Sequence, residues 1–160
     1  MDRVVDTNVA VVANGRDVTA SADCQISSIE LLEALLERGR ILIDGPGEIL
    51  VEYQKRLHAE GQPGVGDLFF RHVLDNQGNA KRIRLVDTQG ARTTPLRNAF
   101  AHGGLARFDP SDRPFALCAV AGRSSVAVAT DSDWIEHEAG LQACGVRVHY
   151  VCGRSAATKS

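Results

Sequence analysis

Aromatic residues are scarce in this chain, at 5% of 160 residues, so its core must be built from Val, Leu, Ile and Ala. Cysteine is sparse and unpatterned: Cys24, Cys118, Cys144 and Cys152 form no C-x-x-C pair. That spacing argues against a disulfide framework or a zinc knuckle. Cys118 and Cys144 fall in apolar helical patterns, where a free thiol behaves as a small hydrophobe. The histidines (His58, His72, His102, His137 and His149) lack zinc-ligand spacing, so imidazole metal chemistry is not expected. No apolar run approaches the roughly 20 residues of a membrane span. The opening Met1-Asp2-Arg3-Val4-Val5 reads as a strand rather than a secretory signal. A cytoplasmic protein is the expectation.

What remains is an ordinary globular composition, 44% hydrophobic and 24% charged, with enough chain for one buried core. The net charge of −2 does not suggest a polyanion partner, but its distribution does. Between Lys81 and Arg107, six basic residues face a single acid, Asp87. Arg84, Arg92, Arg97 and Arg107 are therefore candidate phosphate contacts, against the plainer reading of a solvated loop.

Short β-branched runs alternate with helical periods, which predicts an α/β fold with a central, mostly parallel sheet. Strands are expected at Arg3–Val5, Ile41–Ile43, Lys81–Val86 (at a sheet edge), Val126–Ala129 and Val146–Val151. A capping box at Ser27–Glu30 predicts a helix from Ser28 to Arg38. Further helices are expected from the Asp44–Gly47 turn to Ala59, over 65–76, from Ser111 to Ala121, and from Ser132 to Cys144. Residues 87–104 carry no assignable pattern. The domain is expected to span 1–152, with a disordered tail over 153–160.

In open parallel sheets, chemistry gathers beyond the carboxyl ends of the strands. Asp6 closes the first strand and Asp131 closes the Val126 strand. Asp112 opens the helix before that strand, and Glu52 lies one turn beyond Glu48 on the helix after strand two. Carboxylates brought together repel and raise one another's pKa; a hard divalent cation resolves the conflict. An all-carboxylate set without His or Cys points to Mg²⁺ or Mn²⁺ and phosphodiester chemistry. Each acid also has a structural role open to it: Asp6 as a strand end, Asp112 as a helix N-terminal charge, Glu52 paired with Lys55 or Arg56, Asp131 and Asp133 as caps before Trp134. Asp44, Asp67 and Asp75 read as turn and surface residues.

The order of these pieces resembles the PIN-domain family. Val5-Asp6-Thr7-Asn8 is similar to its opening motif, and Gly47–Tyr53 resembles its second helix, with the acidic position on Glu52. Asp109-Pro110-Ser111-Asp112 resembles the third acidic site, with the metal role on Asp112 and Asp109 as a helper or cap. Val128–Trp134 resembles the last motif, with Asp131 in the metal position and Asp133 beside it. The last motif departs from the family's frequent Thr-Gly-Asp, reading Ala129-Thr130-Asp131 here.

The resemblance implies a Rossmann-like three-layer sandwich and a Mg²⁺- or Mn²⁺-dependent endoribonuclease that hydrolyses single-stranded RNA. It implies Asp6, Glu52, Asp112 and Asp131 as catalytic metal ligands, with Asn8 and Asp133 in support. Many bacterial members are toxins paired with an antitoxin protein, and homodimers are frequent. The alternative is a non-catalytic PIN scaffold that binds RNA or a partner protein. Residues 61–108 would form a substrate lid or an interface. Toprim-like and haloacid-dehalogenase-like phosphotransfer sites fit less well, because the first strand ends in Asp6 and the third motif residue is Asn8.

Overall fold

A computed structural model describes residues 1–60 and 63–158. Five parallel strands, β1 (Asp2–Val5), β2 (Arg40–Asp44), β3 (Ile83–Val86), β4 (Ser125–Val128) and β5 (Arg147–Tyr150), form one sheet in the order β3-β2-β1-β4-β5. Among the described residues, eight helices connect them: α1 (Thr7–Ala13), α2 (Ala22–Arg38), α3 (Glu48–Arg56), α4 (Val65–Asp75), α5 (Thr94–His102), α6 (Arg113–Gly122), α7 (Asp133–Glu136) and α8 (Glu138–Ala143). Short 3-10 helices cover Ala91–Thr93 and Arg154–Ala157. The expected α/β class, a Rossmann-like three-layer sandwich, is what the chain adopts.

The strand order has a direct consequence. From β1 the chain steps to β2 and β3 in one direction, then returns to β4 and β5 on the other side. Right-handed crossovers therefore place α2 and α4 on one face, and α6 and α8 on the other. The contacts agree: α1, α2 and α4 pack together, while α6 spans β1, β2, β3 and β4. The direction reverses between β1 and β4, so the crevice at their carboxyl ends is the topological switch point. Asp6 follows β1 there, and Asp131 follows β4 at a distance of three residues.

The sheet's middle is fully apolar, with Val4, Val5, Ile41, Leu42, Ile43, Val126, Ala127 and Val128 all buried. Central parallel strands need apolar side chains on both faces, and short β-branched runs supply them. β3 is the expected edge strand, with Leu85 exposed.

Several elements differ from the sequence reading. The segment after Asp6, for which no element was expected, forms α1. α2 begins at Ala22, earlier than Ser28, because Ser21 caps it by accepting from the Cys24 amide at 3.1 Å. The expected Ser132–Cys144 helix breaks at His137 into α7 and α8. The segment expected as a disordered tail instead forms the Arg154–Ala157 turn with Ala157 buried; Lys159 and Ser160 lie outside the described residues.

The cysteine reading also needs correction: Cys24 and Cys152 form a disulfide, while Cys118 and Cys144 are free. Asp67 is another reversal. It is fully buried, accepting from Asn14 Nδ2, Arg16 and the His58 and Gly64 amides. Asp44 is buried as well, and its carboxylate accepts from the Glu48 and Ile49 amides to start α3. Asp75 is the expected surface residue, paired with Arg71. Among the described residues, no helix is long and apolar enough to cross a membrane.

Candidate metal centre

Three carboxylates converge at the switch point. Asp6, Asp112 and Asp131 each offer an oxygen, and these atoms lie within 4.8 Å of one another. Asp6 and Asp112 are 2% and 6% exposed. One oxygen of each, Asp6 Oδ2 and Asp112 Oδ2, is buried without any hydrogen-bond partner. Leaving an anionic oxygen buried and unpartnered is costly.

Protonation responds accordingly. Burial first, then the charge of Asp131, pushes the Asp6 carboxyl well above the usual carboxylate range. The amides of Asn8 and Thr7 and the Arg56 guanidinium oppose that shift without cancelling it. Burial, with Asp6 and Asp131 behind it, raises Asp112 to about 10. Asp131 is raised too, chiefly by burial.

Each acid is delivered by a distinct element. The Asp6 amide donates to Ala127 O at 3.0 Å, extending the β1–β4 ladder by one residue. Asp112 holds the N-cap position of α6, with no side-chain cap bond, after the Asp109-Pro110-Ser111 turn, in which Asp109 Oδ1 accepts from the Ser111 amide and hydroxyl. That turn is tied to the next motif, because Asp133 Oδ2 accepts from the Asp109 amide at 2.8 Å. Phe108 packs edge-on against the buried Trp134 at 5.0 Å, which fixes the same junction from below.

Asn8 does what a supporting residue would do. Its Oδ1 accepts from the Thr130 amide at 2.7 Å, the Thr130 hydroxyl at 3.1 Å and the Asp131 amide at 3.2 Å. A residue that the sequence did not single out completes this clamp. Asp17 Oδ2 accepts from Thr130 Oγ1 at 2.5 Å and Asn8 Nδ2 at 3.4 Å, while its Oδ1 is held by Thr19. The Thr130 hydroxyl thus serves Asp17 and Asn8.

Glu52 and Asp133 are placed differently from the trio. Glu52 lines the same cavity, about 340 Å³ in volume, with Asp6, Thr7, Asn8, Lys55, Arg56, Asp109, Ser111, Asp112 and Asp131. Tyr53 fixes its helix to the site by donating to Val5 O at 2.7 Å. Glu52 itself pairs with Lys55 at 2.8 Å, the structural role that its spacing allowed. Asp133 faces His137 and the Asp109 amide, so it braces the loop.

None of the expected RNA-contacting arginines lines this cavity. Arg84 donates to Gly122 O and Arg97 to Thr88 O. Arg92 lines a separate hollow, and Arg107 is exposed two residues before Asp109. The cations at the acid cavity are Lys55 and Arg56, which lay in the sequence as possible partners for Glu52. Half of the 61–108 stretch is regular structure, in α4, β3 and α5, with Gly61 and Gln62 outside the described residues.

The donor set suits a hard divalent cation. It is all carboxylate oxygen, and a bound ion would take the place of the protons that burial favours there and partner the two orphaned oxygens. Compared with protein-family models, curated proteins and solved structures, the chain finds no match.

Proposed function

We propose that the chain is a Mg²⁺- or Mn²⁺-dependent nuclease of the PIN type that hydrolyses phosphodiester bonds of single-stranded RNA. The observation that carries this reading is the trio of Asp6, Asp112 and Asp131 with its unpartnered buried oxygens at the switch point. These three carboxylates would hold the ion. A divalent ion in such a site polarises a phosphoryl oxygen and lowers the pKa of a bound water.

The residues around the trio supply the rest. Asn8 and Asp17, through Thr130, fix the backbone that presents Asp131. Lys55 and Arg56 place positive charge at the cavity wall, where a phosphodiester would enter. Contact of Lys55 with substrate phosphate would free Glu52, whose carboxylate then orients the attacking water and accepts its proton. The preference for RNA follows from the resemblance of the motifs, as do an antitoxin partner and a homodimer.

The test is Mn²⁺ titration by calorimetry, followed by cleavage of a labelled single-stranded RNA in Mg²⁺, on wild type beside Asp6→Asn. Wild type is expected to bind Mn²⁺ and cut the RNA. Asp6→Asn is expected to stay folded and lose cleavage by about 100-fold or more, beyond the 10–100-fold typical of outer partners. Wild-type protein that binds no Mn²⁺, even with RNA present, would overturn the reading in favour of a non-catalytic scaffold.

A further inference from the structure

The amino ends of β4 and β5, opposite the carboxylates, border a hollow lined by three arginines. Arg92, Arg123 and Arg147 line a cavity of about 300 Å³ with Ser124, Cys144 and Gly145. They come from the 3-10 turn Ala91–Thr93, the end of α6 and the start of β5. No carboxylate lines this cavity. Among the described residues, no ion pair involves any of the three arginines. Arg147 donates to Arg123 O at 3.1 Å, and that bond leaves the positive charge uncompensated.

The surroundings add to the field. Arg3 is held below its usual pKa by burial and by repulsion from Arg147. His149 is lowered by burial and by Arg3. A lone arginine here would be explained by the carboxyl end of α6, which favours a cation. Three are more than that role needs. Arg123 also adopts φ 53°, and it is the only non-glycine with positive φ among the described residues. Helix ends use Gly or Asn in that conformation, so an arginine there keeps its side chain at a conformational cost. An outlier of this kind is a reason to look for a ligand.

We infer that this hollow binds a phosphate group, with Arg92, Arg123 and Arg147 as its ligands. The guanidinium fork matches phosphate oxygens in pairs, and the cavity offers no acid to compete. The phosphate can be a diester of an RNA strand or the terminal group of a free nucleotide. No metal and none of the switch-point acids takes part, so the site stands apart from the nuclease reading.

The test follows backbone amide shifts of Ser124 and Gly145 in EDTA. The protein is titrated with inorganic phosphate, a nucleoside 5′-monophosphate and a short oligoribonucleotide, as wild type, Arg92→Gln, Arg123→Asn and Asp6→Asn. Wild type and Asp6→Asn are expected to bind alike, and both arginine variants about tenfold more weakly or worse. Asn tolerates the left-handed conformation, so Arg123→Asn should keep its fold. Arg92 is exposed, and its variant decides the matter if Arg123→Asn unfolds. Saturation by inorganic phosphate identifies a free phosphate group as sufficient. A response to the oligomer alone identifies a strand backbone, with the slope of log K against log salt falling by about 0.7 for each arginine removed. No shift with any of the three, or undiminished affinity in the arginine variants, would overturn the inference.

Discussion

Asp112 is the residue whose protonation reports most directly on the acid site. Its carboxyl titrates at about 10 in the folded, metal-free chain, whereas an unfolded aspartate titrates near 4. Between those values the folded state holds more protons than the unfolded one, so stability falls as pH rises. Asp6 and Asp131 are shifted in the same direction. Asp2, Asp17 and Asp67 are held low; their contribution is complete above the unfolded value and is lost only in acid. Scanning calorimetry in EDTA should therefore show Tm falling from pH 5 to pH 8, with Mn²⁺ suppressing the fall. A flat metal-free profile would count against a buried, crowded trio. Asp112→Asn should raise the metal-free Tm at pH 8 and weaken Mn²⁺ binding, so stability and ion affinity move in opposite directions. Asp6 and Asp131 were visible in the sequence because each follows a β-branched run, and strand ends carry chemistry in this class. Asp17 was not, since its partner Thr130 lies 113 positions away and nothing local marks the pair.

At the scale of elements, two junctions set the site. The turn between β4 and α7 depends on the Thr130 hydroxyl, which bridges Asp17 and Asn8. Thr130→Val should cost about 1–2 kcal/mol in denaturant unfolding and weaken Mn²⁺ binding by about 10–100-fold. Unchanged Mn²⁺ affinity would show that Asp131 needs no such clamp. The second junction is the crossing of α1 and α4, where a Cβ on Gly66 would meet Ala10 O at 2.0 Å. Gly66→Ala should lower stability by about 3 kcal/mol, at the upper end of overpacking, read as a lower urea midpoint with an unchanged slope. α4 was legible from its apolar period, and its expected start at residue 65 matches. α1 was not legible, because it is only seven residues long and its Val9, Val11 and Val12 carry a weak helix preference. All seven of its residues are buried, so tertiary packing overrides a weak local preference. α5 was hidden for a related reason: Leu96 and Phe100 are its only buried residues.

The whole molecule is electrically polar in a way that its net charge of −2 conceals. Acids crowd the carboxyl end of the sheet, and unpaired arginines crowd the amino ends of β4 and β5. Alternating periods were enough to anticipate the parallel sandwich, because strand and helix signals survive without knowledge of contacts. The Cys24–Cys152 bridge was beyond their reach, since it joins positions 128 residues apart that only the finished fold brings together. In the chain-entropy picture, a closure of that length contributes up to about 5 kcal/mol. Reduction should therefore lower the urea midpoint by an amount corresponding to about 2–5 kcal/mol. Thiol counting under denaturing, non-reducing conditions should find two groups, Cys118 and Cys144; four would show that the bridge does not form. With the bridge closed, the polypeptide from Cys24 in α2 to Cys152 after β5 becomes a covalent ring. A protease that nicks it once inside that ring frees no fragment, and the damage stays invisible on a gel until reductant is added.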